Sequence, residues 1–120
     1  MLNFNSILLS SENPKKLAEF YSKVLGKKPD MDDNGYTGFL VGKCFLSIGP
    51  HDKVHGKNQN PERILFNFET EDVKGEFKRV KDLGAKVVAE PYSMGEGYWI
   101  ATLADPDGNY FQFVTPWKSE

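Results

Sequence analysis

Tyr98-Trp99-Ile100-Ala101-Thr102-Leu103-Ala104-Asp105-Pro106-Asp107-Gly108-Asn109-Tyr110-Phe111-Gln112-Phe113-Val114 is the stretch that decides the fold. Two apolar runs flank a polar centre, Asp105-Pro106-Asp107-Gly108-Asn109. Pro106 presets φ for the second position of a type I turn, and Gly108 supplies the positive-φ residue that lets the chain return. Asp105 and Asn109 carry short polar side chains able to hydrogen-bond the local backbone. The stretch therefore predicts a β-hairpin late in the sequence.

Upstream of the hairpin, residues 63–69 read as a strand and residues 86–89 as another. Between them, Thr70 or Glu71 opens a helix carrying Val73, Phe77, Val80 and Leu83, and Gly84 ends it. The first half of the chain has the same order. A strand is expected over residues 3–10. Asn13 then reads as an N-cap with Pro14 at the first helical position. Leu17, Phe20, Tyr21, Val24 and Leu25 form one apolar stripe, and Gly26 stops the helix. A polar turn over residues 30–35 leads to strands over 36–41 and 43–48, joined at Gly42. The helix-stop glycines Gly26 and Gly84 are separated by about half the chain, and so are the helix starts Asn13 and Glu71. An offset of that size indicates an internal duplication. Each half reads β-α-β-β, with a third strand expected after each helix.

The expected organisation is a single domain over residues 1–120. Module one covers about 1–50, a linker 50–61, and module two about 62–116. The linker, with two prolines and no apolar periodicity, reads as a mobile loop. One hundred and twenty residues suffice for a real core. A net charge of −2 with mixed signs gives no basic face for nucleic acid. No apolar run is long enough to span a bilayer. The single cysteine, Cys44, excludes an internal disulfide and suits a reducing cytoplasm, where the chain is expected to reside.

Phe20-Tyr21-Ser22-Lys23-Val24-Leu25-Gly26 resembles the "FY…VLG" segment of the vicinal oxygen chelate superfamily. Glu71-Asp72-Val73, Leu83-Gly84-Ala85-Lys86-Val87 and Asp105-Pro106-Asp107-Gly108-Asn109 are similar to that family's second module. This group includes glyoxalase I, extradiol dioxygenases and the fosfomycin and bleomycin resistance proteins. The resemblance implies an α+β fold of two tandem βαβββ modules, whose curled mixed sheets form a cup. It also implies a homodimer, domain-swapped or unswapped.

Enzymes of this family hold a divalent ion with His, Gln and Glu side chains from the cup. The resemblance sets those four positions on Ser6, Leu65, Ser47 and Gln112. A serine hydroxyl and a leucine side chain cannot replace imidazole and carboxylate for a divalent transition metal. No metal and no cofactor are therefore expected, and no catalytic residue is assigned. His51 and His55, i and i+4 in a non-helical segment, read as solvated linker histidines.

What remains is a cup lined with rings. If the four ligand positions mark its face, strand alternation adds Leu8, Phe45, Asn67 and Tyr110. Trp99 is expected to line it as well, with Tyr98 and Tyr92 nearby. Phe66, Phe68, Phe111 and Phe113 alternate onto the helix side, and Trp117 reads as an edge cover or dimer contact. The expected ligand-binding set is thus Ser6, Leu8, Phe45, Ser47, Leu65, Asn67, Trp99, Tyr110 and Gln112. This pattern is similar to the metal-free, bleomycin-resistance-like branch, which implies binding of a planar or aromatic small molecule and antibiotic sequestration. The alternative is a lyase, isomerase or dioxygenase with an atypical metal site, or one using His51, His55, Glu90 or Glu96 for acid–base work.

Overall fold

The computed structural model describes residues 1–117. It divides into two compact units, Met1–Gly56 and Lys57–Glu120. Each unit is a βαβββ module with one helix and one open, mixed four-stranded sheet.

In the first unit the order is β1 (Ser6–Ser10), α1 (Pro14–Leu25), β2 (Met31–Asp33), β3 (Tyr36–Val41) and β4 (Cys44–Gly49). The sheet runs β1-β4-β3-β2, with β1 parallel to β4 and the other pairs antiparallel. The Asn13 side chain accepts from the Lys16 N–H, and Gly26 closes α1 in the left-handed region at φ 67°. Leu17, Ala18, Tyr21 and Val24 are buried against Phe39, Leu46 and Ile48 of the sheet's helix side, whereas Phe20 and Leu25 of the expected stripe are half-buried. The expected first strand loses residues 3–5, which are exposed. The expected polar turn over 30–35 contains β2. Its connection to β3 is the two-residue turn Asn34-Gly35, both residues at positive φ, as a tight hairpin requires.

The second unit opens with a 3₁₀ turn, Pro61–Arg63, which delays the next strand to β5 (Phe66–Glu69). Then follow α2 (Val73–Asp82), β6 (Lys86–Ser93), β7 (Trp99–Ala104) and β8 (Tyr110–Val114). The order β5-β8-β7-β6 repeats that of the first sheet, with β5 parallel to β8. The α2 cap is Asp72, whose carboxylate accepts from the Gly75 N–H at 3.0 Å, rather than Thr70 or Glu71. Phe68, Phe111 and Phe113 pack edge-on and tilted against one another on the helix side, above Phe77 and Val80.

The β7–β8 turn is built on Asp105, which is 5% exposed. Its Oδ1 accepts from the Asp107 N–H at 2.9 Å and the Asn109 N–H at 3.0 Å, and its Oδ2 from Asn109 Nδ2 at 3.0 Å. The Gly108 N–H donates to the Asp105 carbonyl and Gly108 lies at φ 81°, completing the expected turn. The turn does more than reverse the chain. The Asn58 N–H donates to the Asp107 carbonyl at 2.8 Å, and Asn58 Nδ2 donates to Asn109 Oδ1 at 3.0 Å. The exit of the linker is thereby tied to the hairpin.

Candidate functional site

One face of each sheet is covered by its own helix, and strand register fixes which side chains stand on the other. In the first unit Ser6 pairs with Phe45 and Leu8 with Ser47 across β1 and β4, and Leu40 pairs with Phe45 and Gly38 with Ser47 across β4 and β3. Ser6, Leu8, Phe45 and Ser47 therefore share the face opposite α1, as the sequence predicts, together with Leu40 and Tyr36. Leu8 is 60% exposed and Leu40 49%. Two glycines shape this face. A Cβ on Gly38 would collide with the Phe45 ring, and one on Gly49 with the Tyr36 ring. Each ring thus lies across a glycine of the neighbouring strand and presents itself where a side chain would otherwise rise.

In the second unit Asn67 pairs with Gln112 across β5 and β8, and Gln112 with Thr102 across β8 and β7. Tyr110 pairs with Ala104 on the same face, and Leu65, just ahead of β5, shares it by alternation. The Gln112 Nε2 donates to Thr102 Oγ1 at 2.9 Å. That bond satisfies the nearly buried threonine hydroxyl and turns the Gln112 carbonyl oxygen away from it as an acceptor. Thr102 was not anticipated. Its signal was its even spacing from Ile100 in the strand opposite Gln112.

Trp99 corrects the expectation. It alternates with Ala101 and Leu103, the helix-side residues of β7, and its ring lies under Lys74 of α2, with Nζ 3.9 Å from the ring centroid. It does not stand with Tyr110 and Gln112.

The four positions that the resemblance marks for metal ligands, Ser6 and Ser47 in the first unit and Leu65 and Gln112 in the second, do not fit a divalent transition ion. They offer two hydroxyls, an aliphatic chain and an amide already engaged with Thr102. Among the described residues no three His, Cys, Asp or Glu side chains come together as a metal site. His55 is exposed, with Nδ1 3.1 Å from Glu12 Oε1, and His51 Nδ1 accepts from the Lys53 N–H. Cys44 is half-buried with a free thiol. Among the described residues no helix is long and apolar enough to cross a membrane.

The glyoxalase-like domain family matches residues 6–114. No curated protein matches the chain. Among solved structures, one described as a conserved domain protein is 24% identical and superposes with a TM-score of 0.80, over 95% of this chain and 98% of that one. A glyoxalase-related enzyme from Fulvimarina pelagi is 14% identical, with a TM-score of 0.78 over 97% and 89%. A glyoxalase/bleomycin resistance protein/dioxygenase family enzyme from Burkholderia phytofirmans PsJN is 18% identical, with a TM-score of 0.77 over 95% and 98%. At these identities the structural likeness speaks for the fold.

Proposed function

The chain belongs to the glyoxalase-like family of the vicinal oxygen chelate superfamily, and from that premise we propose that it binds a small planar organic molecule on its open sheet faces, without a divalent ion. The observation that carries this reading is the pair of rings laid across glycines, Phe45 over Gly38 and Tyr36 over Gly49. A ring that covers a glycine offers its outer face for stacking and buries substantial area at low entropic cost. Ser6, Leu8 and Ser47 border it in the first unit. In the second, Leu65, Asn67 and Tyr110 supply apolar and amide contacts, and the fixed Gln112 carbonyl accepts from a ligand N–H or O–H. Sequestration of a planar antibiotic in the cytoplasm is the biological use such binding suits, because it needs affinity and no reaction. We also propose that two copies pair. The exposed Leu8 and Leu40 favour it, since contiguous exposed apolar area on a sheet face is commonly covered in use.

A thermal-shift screen of uncharged planar heteroaromatics such as acridone, flavone and quinoxaline tests the reading. At least one raises the melting temperature saturably, with or without EDTA, and Gly38→Ala, which displaces Phe45, weakens that ligand about tenfold. A stabilisation that appears only with added Ni²⁺, Zn²⁺ or Mn²⁺ sinks it, as does a Gly38→Ala variant of unchanged affinity.

A further inference from the structure

We propose that a groove of about 660 Å³ at the β6–β7 connection binds a small organic cation, a quaternary or protonated amine carried on an apolar frame. The site lies within the second unit. It shares no residue with the planar-ligand set, and its Ile100 stands on the same sheet face as Thr102 and Gln112.

The lining decides the chemistry. Tyr98 and Trp117 bring rings, Met94 a thioether, and Ile100 and Pro116 aliphatic carbon. Among the described residues of the lining, Glu96 is the single charged side chain, with no lysine or arginine beside it. Among the described residues no cation is paired with Glu96. An anion would meet the carboxylate and the negative ring faces together. A neutral apolar molecule would leave the carboxylate without use. A cation gains from both, through attraction to the ring quadrupoles and to the acid.

The backbone holds the acid in place. Gly95, Glu96 and Gly97 lie at φ 98°, 53° and 78°. Three consecutive positive-φ residues make a tight loop, and glutamate in the left-handed region carries a steric cost that glycine would avoid. The loop is closed by the Met94 N–H to the Tyr98 carbonyl at 2.7 Å, the Tyr98 N–H to the Gly95 carbonyl at 2.9 Å and the Gly95 N–H to Ser93 Oγ at 3.0 Å. A residue type that strains the loop, standing at its tip as the sole charge among the described residues of an aromatic groove, is an observed outlier of the sort found at binding sites. The exposed Trp117 ring, 81% accessible, lies open to an incoming ligand.

Isothermal titration of the full chain at constant ionic strength tests this with three matched probes: benzyltrimethylammonium, benzyl alcohol and benzenesulfonate. The cation is expected to bind saturably, one per chain and about tenfold tighter than the alcohol, with no binding of the sulfonate. Glu96→Gln weakens the cation about five- to tenfold and leaves the alcohol unchanged, and Trp117→Ala weakens both. Glu96→Gly raises the melting temperature while weakening the cation. Equal binding of cation and alcohol, absence of saturable binding, or an unchanged affinity in Glu96→Gln overturns the proposal.

Discussion

At Trp99 the indole lies beneath the Lys74 ammonium, so replacing it by alanine is a stability experiment. The half-buried ring and its cation contact together are worth about 2 kcal/mol, below the range for a fully buried tryptophan. Trp99→Ala is expected to lower the melting temperature clearly, while the folded protein keeps its affinity for a planar ligand. A loss of affinity with little change in melting would return Trp99 to the ligand face. Its orientation is hidden in the sequence for a physical reason. Side-chain phase along β7 follows from the pairing across the hairpin, and that pairing is fixed by the Asp105 N–H bonded to the Asn109 carbonyl, which seats Ala104 opposite Tyr110 and Thr102 opposite Gln112. The residues of the turn are legible in sequence, but the bond that sets its register is not, and a slip of one residue reverses every side chain. The positions anchored on β1, β4, β5 and β8 had no such slip, and Ser6, Leu8, Phe45, Ser47, Asn67, Tyr110 and Gln112 share the faces on which strand alternation sets them.

Among elements, both helices were legible from their caps and apolar stripes, and the central strands from their burial. The strands misread were at sheet edges. β2 is wholly exposed, and β6 runs on through Pro91 to Ser93 with two register shifts. An edge strand needs no buried face, and it accepts a proline because one row of its N–H groups has no partner in the sheet. The join between α1 and the sheet rests on a small ionic clamp. Asp30 Oδ2 accepts from the Leu40 N–H and from Lys27 Nζ, each at 2.7 Å, while Lys27 Nζ also donates to the Leu40 carbonyl at 2.9 Å. Lys27, with the Leu40 N–H, holds the Asp30 carboxyl below its ordinary value of 3.8. A depressed carboxyl contributes stability above its unfolded-state value and loses it as pH falls through the folded one. The melting temperature of the native protein should therefore exceed that of Asp30→Asn at pH 6. The two curves should converge as pH drops below about 3.8 towards 2. A gap that persists at pH 2 would mean that the clamp acts through something other than charge.

The whole molecule repeats one plan twice: strand, helix, three strands, with the first strand set parallel beside the last. The duplication was legible because cap residues and helix-stop glycines punctuate both halves at the same offset. The linker's attachment was not, because Asn58 and Asn109 are ordinary polar residues until the fold brings them together. If two copies pair, light scattering of the purified chain will give about twice its 13.6 kDa mass, and Leu8→Asp together with Leu40→Asp will lower it to one chain. A single-chain mass for the native protein would remove the pairing proposal. The tie between Asn58 and the Asp105–Asn109 turn also has a consequence in time. During synthesis residue 58 leaves the ribosome well before residue 109, and β5 emerges long before the β8 that must lie beside it. The first module has all its strands by then and can fold on its own schedule. The second must wait, its opening strand unpartnered and its entrance untied, until nearly the last residues of the hairpin are translated.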